Sequence, residues 1–190
     1  MNVIFGFSQM LDAGRGGGEL TGKQQKSVDH ILKASRHLLE LINKVLELNT
    51  IEAGKLSIDV GDVCARNLID DCLAMVQLSA EDNRIEIIDQ TRGHDLPTFW
   101  TDSRRITQVL LNLLSNAVKY NRERGTVTVN CQELPDRVWR ISVADTGDGI
   151  PAEKQKDLFK PFERLGRDDG VISGTGIGLT ITKNIIELLG

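Results

Sequence analysis

The chain has 190 residues, enough for one full domain or a small domain with a helical appendage. Its 40% hydrophobic and 26% charged content is ordinary for a soluble globular protein, and with a net charge of -4 and no Lys/Arg cluster it lacks a nucleic-acid footprint. The most apolar stretch, 109–118, is interrupted by Asn112, Ser115 and Asn116, well short of the roughly 18 residues a membrane helix needs. The start of the chain lacks the basic segment and cleavage site of a signal peptide. Three cysteines, odd in number and without metal-ligand spacing, predict reduced thiols in a cytoplasmic setting. The three histidines stand apart from them, which argues against zinc.

The first predicted elements are helical. Val3, Ile4, Phe7, Met10 and Leu11 form a short apolar stripe, broken by Gly14 and the Gly16-Gly17-Gly18 run. From 21 to 51, Val28, Ile31, Leu32, Ser35, Leu38, Leu39, Ile42, Val45 and Leu46 step by three and four, with Thr21 as N-cap and Gly54 as stop. The stripe is wider than a two-stranded seam requires, so it predicts a hairpin that dimerises into a four-helix bundle. Packing of the hairpin on the rest of the chain is the alternative.

After residue 54 the pattern becomes mixed. It predicts strands at 56–60, 84–90, 126–132 and 138–144, the last two joined by a turn at Pro135-Asp136. It predicts helices at 64–78, 102–120 and 177–189, the second with Ile106, Val109, Leu110, Leu113, Leu114 and Ala117 inward. The expected class is α+β: a helical hairpin over 1–54, then an α/β sandwich with a mixed sheet over 55–190.

Three segments carry chemistry. In Asn112-Leu-Leu-Ser-Asn116-Ala-Val-Lys119-Tyr120, the two asparagines and the lysine share one helical face. Amide oxygens can ligate a hard cation such as magnesium, and the lysine can meet phosphate. Taken alone, a solvated polar face explains this segment more simply. Asp145-Thr-Gly147-Asp-Gly149-Ile150 follows a strand. A carboxylate there can accept from the exocyclic amine of adenine, where guanine offers an oxygen, although an Asp-Gly turn is an equal reading. Gly174-Thr175-Gly176-Ile177-Gly178-Leu179 opens the last helix, where backbone amides form a phosphate cradle. It is neither the dinucleotide fingerprint nor a P-loop. Between the latter two lies Phe159-Lys-Pro-Phe162-Glu-Arg164, in a loop of the length expected of a mobile lid.

In order and spacing these segments resemble the histidine kinases of two-component signalling. That family has an Asn-rich helix, an Asp-x-Gly-x-Gly turn, a Phe-x-Pro-Phe segment and a Gly-x-Gly-x-Gly-Leu turn, in this sequence. Asp102-Ser-Arg-Arg-Ile106 with Gln108, and Ile51-Glu-Ala-Gly-Lys-Leu56 after the second helix, also match. The resemblance spans essentially the whole chain. It implies a sensor kinase core of the GHKL type that binds ATP and Mg2+, dimerises through its hairpin and serves a response regulator receiver domain.

Residue by residue, it implies Asn116 as magnesium ligand, with Asn112 its phosphate-side neighbour. Lys119 and Tyr120 would touch phosphate and nucleotide, and Asp145 would read adenine in a pocket shaped by Gly147, Gly149 and Ile150. Arg164 and the turn Gly174, Thr175, Gly176, Gly178 and Leu179 would cover the phosphates. The family's acceptor His would fall upstream of Met1, and its domain runs on beyond Gly190. His30 and His37 lie on the second helix, not where the family's acceptor stands. Two alternatives remain: a nucleotide-binding scaffold without kinase activity, and an ATP hydrolase of the related chaperone and topoisomerase group. The hydrolases carry a Glu base where this chain has Asn112, a poor base.

Overall fold

A computed structural model of the chain describes residues 6, 10–11, 20–163 and 175–190. Two compact units are distinguished, Met1–Ala53 and Gly54–Gly190.

In the first unit Gly6, Met10 and Leu11 are helical, and the glycine-rich tip predicted at 14–18 lies outside the described residues. Helix α1 (Gly22–Glu52) begins as its sequence dictates. Thr21 accepts from the Gln24 N–H, and the Gln24 side chain accepts in return from the Thr21 N–H at 2.9 Å, a complete capping box. Gly54, just past the Ala53 C-cap, adopts φ 64°, the left-handed conformation that glycine accepts without Cβ strain. The apolar stripe divides: Val28, Leu32 and Ser35 are buried, whereas Ile31, Leu38, Leu39, Ile42 and Leu46 are open to water. Leu48 and Ile51, outside the predicted stripe, are buried as well.

The second unit runs β1 (Gly61–Cys64), α2 (Ala65–Asp82), β2 (Glu86–Asp89), β3 (Thr98–Thr101), α3 (Ser103–Lys119), β4 (Thr126–Glu133), β5 (Trp139–Asp145), α4 (Ala152–Gln155) and α5 (Gly178–Leu189). β2, β4 and β5 make a mixed sheet in that order, β2 parallel and β5 antiparallel to β4. β1 and β3 form a separate antiparallel pair. α3 packs against both α2 and α5. Between helices and sheet lies one core built on Ile69, Cys72, Leu114, Val127 and Val129, none with measurable exposure. Burial pushes the Cys72 thiol up to about 11, with Asp71 adding to the shift, so it is an unreactive core group.

Several predicted elements shift. Residues 56–60 are not a strand. The Asp59 N–H is taken by the Asp102 carboxylate at 2.9 Å, and sheet pairing begins only at Gly61, opposite Thr101. The partner strand β3, four residues after Pro97, was too short to be read from alternation. α2 runs four residues past its predicted end at 78, because Ala80 is buried and Gln77 bonds Glu81 across one turn. The turn at Pro135 is a short 3-10 segment, closed by Leu134 N–H to Val138 O at 2.7 Å.

Candidate nucleotide-binding site

The site is built around α3. Asp102 caps this helix and is 5% exposed: one carboxylate oxygen accepts from Arg105 N–H at 3.0 Å, the other from Asp59 N–H. The Asp59 bond, then those from Arg105 and Arg104, hold the carboxyl below the usual carboxylate range against the opposing effect of burial. Val109, Leu110, Leu114, Ala117 and Val118 are buried, which anchors the helix. Asn112, Asn116 and Lys119 are half-buried.

These three residues differ in their surroundings. Asn112 is committed within the protein: its amide nitrogen donates to Thr182 Oγ1 on α5 at 2.8 Å. Its oxygen lies so close to Gly178 that a Cβ there would come within 2.5 Å. Asn116 has no side-chain hydrogen bond among the described residues. The Lys119 ammonium stands 4.8 Å from the centre of the Tyr120 ring, a cation–π contact at the exposed end of the helix.

β5 delivers Asp145 from its register opposite Val127. The exposed carboxylate accepts from Gly147 N–H at 2.8 Å through Oδ1, which fixes its orientation. Gly147 is required because its backbone packs on the Tyr120 carbonyl; a Cβ would fall inside contact distance of that oxygen and 2.9 Å from Asp145 Oδ1. Gly149 has φ 71° and open space around it, so backbone conformation alone selects glycine there. Ile150 is exposed, and its carbonyl accepts from Gln155 at 3.0 Å.

The turn before α5 meets the Phe-Pro-Phe segment. Phe162 N–H donates to Gly176 O at 3.0 Å, and a Cβ on Gly176, at φ 68°, would lie 2.9 Å from Glu163 O. Thr180 Oγ1 donates to Phe159 O at 2.9 Å, and Thr175 Oγ1 accepts from Ile177 N–H at 3.4 Å. Leu179 is half-buried. Arg164 and Gly174 lie outside the described residues. The structure therefore joins Asn112 to Gly178, Tyr120 to Gly147, and Gly176 to Phe162. A cavity of about 720 Å³ between α2 and β2, bordered by Arg66, Leu73 and Asp89, includes none of these residues.

Sequence reasoning missed Thr180 and Thr182, both buried on α5. Two threonines inside the apolar run after Leu179 were the available signal, since a buried hydroxyl needs a partner. Also missed was the cluster of Asn121, Gly125, Thr126 and Thr146 between α3 and β5.

Residues 101–190 match the family of histidine kinase-, DNA gyrase B- and HSP90-like ATPases, and residues 1–54 match the His Kinase A phospho-acceptor domain. The chain belongs to the sensor histidine kinases. Its second unit carries the ATP-binding domain of that family. The circadian input-output histidine kinase CikA of Synechococcus elongatus is 38% identical over 183 residues, covering 91% of this chain and 23% of that protein. The sensor protein GacS of Pseudomonas syringae is 35% identical over 199 residues, covering 100% of this chain and 21% of that protein. The chain thus spans under a quarter of the length of these relatives. Among solved structures, full-length ShkA in complex with AMPPNP superposes with a TM-score of 0.78 at 28% identity, over 96% of this chain and 36% of that one. No described helix is long and apolar enough to cross a membrane.

Proposed function

We propose that this chain is the ATP-dependent core of a two-component protein-histidine kinase, with a dimerisation and phosphoacceptor hairpin at 1–54 and a catalytic domain at 55–190. The observation that carries the reading is Asp145. Its carboxylate is held by Gly147 N–H, and the turn that holds it rests on the Tyr120 carbonyl at the end of the Asn-rich helix. A fixed acceptor at a strand end suits the exocyclic amine of adenine. Lys119 and the turn at 175–178 are the phosphate-side groups.

Magnesium fits this donor set. Asn116 offers an amide oxygen with no side-chain hydrogen bond among the described residues, and Mg2+ keeps most of its waters and substrate oxygens, so one or two protein ligands suffice. When bound, the ion neutralises phosphate charge. The protein's own part is orientation: α3 holds Asn116 and Lys119 on one face, and Gly147 fixes Asp145. Asn112 is a positioning group bonded to Thr182, and an amide so engaged cannot activate water, which disfavours the hydrolase reading. ShkA was crystallised with AMPPNP, an ATP analogue, in agreement with ATP as ligand.

The exposed face of α1, with Leu38, Leu39, Ile42 and Leu46, would be covered by a second copy of the hairpin. A response regulator receiver domain would take the phosphoryl group in the cytoplasm. Calorimetry tests the nucleotide site. Asp145→Ala should weaken ATP binding at least tenfold, the equivalent of about 1.5–3 kcal/mol for a charge-assisted bond. In Asn116→Ala, magnesium should no longer strengthen nucleotide binding. Unchanged ATP affinity in Asp145→Ala would remove that residue from the site.

A further inference from the structure

Asp145 and Tyr120 are each followed directly by a residue whose side chain faces the other segment. Thr146 Oγ1 donates to Asn121 Oδ1 at 3.1 Å and accepts from Thr126 N–H at 2.8 Å. Asn121 Nδ2 donates to Thr126 O at 2.9 Å, and the same carbonyl accepts Thr146 N–H at 3.2 Å. Asn121 Oδ1 also accepts from Arg122 N–H at 3.0 Å, so both ends of the amide are fixed. The result is a closed ring of hydrogen bonds at the end of α3, the start of β4 and the end of β5. In such a ring each bond polarises the next. Gly125 completes it: a Cβ there would lie 2.6 Å from Thr146 Oγ1 and closer still to Asn121 Oδ1.

The ring is not needed to pair the strands. β4 and β5 are already in register from Val127 opposite Asp145 to Glu133 opposite Trp139. What the ring adds is the tie from Asn121, which belongs to neither strand, to Thr146. Among the described residues, this is the side-chain hydrogen bond that joins the end of α3 to the end of β5. On one side of it stand Lys119 and Tyr120; on the other stands Asp145.

Resting on the nucleotide-binding reading above, we propose that Asn121 and Thr146 are positioning residues that set the distance between the base-reading carboxylate and the phosphate end of α3, and thereby the preference for adenine over guanine nucleotides. Neither residue need touch the nucleotide. Loosening the tie lets the Asp145 turn drift from α3, so a bound triphosphate no longer brings its base amine onto the carboxylate. Adenine loses its advantage, whereas binding through the phosphates declines less.

The test uses the full 190-residue chain, with calorimetric dissociation constants for ATP and for GTP and a thermal unfolding midpoint measured in parallel. Thr146→Val, which keeps the side-chain shape but removes the hydroxyl's bonds to Asn121 and Thr126, should reduce the ATP-over-GTP preference about fivefold or more, as loss of at least one neutral hydrogen bond implies. Thr146→Ser should restore the preference. The double variant Thr146→Val/Asn121→Ala should lose less preference than the two single losses combined, because both remove the shared Thr146–Asn121 bond; full additivity overturns the proposal. A purely structural role would lower the unfolding midpoint and leave the preference unchanged. Wild-type preference in Thr146→Val, or a Thr146→Ser variant as impaired as the valine, overturns the proposal. If Thr146→Val does not fold, Asn121→Ala, which spares the β4–β5 ladder, carries the same measurement. A wild-type chain without ATP preference, or an Asp145→Ala variant that binds ATP normally, overturns the nucleotide reading itself and the proposal with it.

Discussion

Asp102 holds the entry of the site-bearing helix to the segment that precedes β1, and its replacement has a calculable effect. Asp102→Ala removes the carboxylate's bonds, chief among them those from the Arg105 and Asp59 N–H groups. The N-cap bond to Arg105 contributes about 1 kcal/mol, up to about 2 in the best cases. The bond from Asp59 N–H adds about 1–2 kcal/mol, because its donor is left without a charged acceptor. The domain should therefore lose about 2–3 kcal/mol, a large part of the roughly 5–15 kcal/mol typical of a folded domain. Asp102→Asn keeps one acceptor oxygen and should lose about half as much.

The pH dependence follows from the direction of the shift. The folded-state pKa is lowered, so the stabilisation is fully present above the unfolded value near about 3.9 and is lost as pH falls through the lower folded value. The gap between wild type and Asp102→Asn should consequently narrow below about pH 4. Urea titrations followed by tryptophan fluorescence, with Trp100 two residues away, measure both effects. A deficit under about 0.5 kcal/mol for Asp102→Ala at neutral pH, or a gap that widens toward acid, would refute the assignment.

Three further outcomes are expected. Thr182→Val should lower ATP affinity about fivefold by releasing the Asn112 amide, with Thr182→Ser close to wild type; equal affinities by calorimetry would make the Asn112–Thr182 bond incidental. Leu39→Glu together with Leu46→Glu should give a monomer that still binds ATP, whereas a wild-type chain that is already monomeric in light scattering would sink the bundle assignment. With γ-labelled ATP, the 190-residue chain should show no acid-labile label on His30 or His37, because transfer needs reacting atoms about 3–3.5 Å apart and aligned; label on either would place the acceptor on α1.

The legibility of the fold followed the strength of local signals. The boundaries of α1 were readable because they are chemical: a capping box at Thr21 and a left-handed glycine at 54. α3 was readable because five buried apolar residues recur with helical spacing. β1 and β3 were not, since a four-residue strand has too few alternations to register, and its pairing is decided by a partner some 40 residues away in sequence. The alternation at 56–60 reads as a strand, but there the Asp59 N–H bonds the Asp102 carboxylate, a tertiary contact without a local trace.

The site was legible in its residue types and less so in their division of labour. Both asparagines of α3 share a face, and spacing alone assigns them the same kind of task. Their neighbours separate them: Thr182 takes the Asn112 amide, and the Asn116 oxygen is unclaimed among the described residues. Gly147 and Gly149 likewise read as one motif, both expected to shape the adenine pocket. Gly147 proves to be small because the Tyr120 carbonyl lies against it, whereas Gly149 is glycine for its positive φ. In each pair the motif fixes which residue types are needed, and only the packing of α5 and of the α3 end against them decides which member meets the ligand and which holds the frame. On the proposed ATP reading, Thr182, Asn121 and Thr146 are the residues that would separate a frame competent for ATP from one that merely carries the motifs.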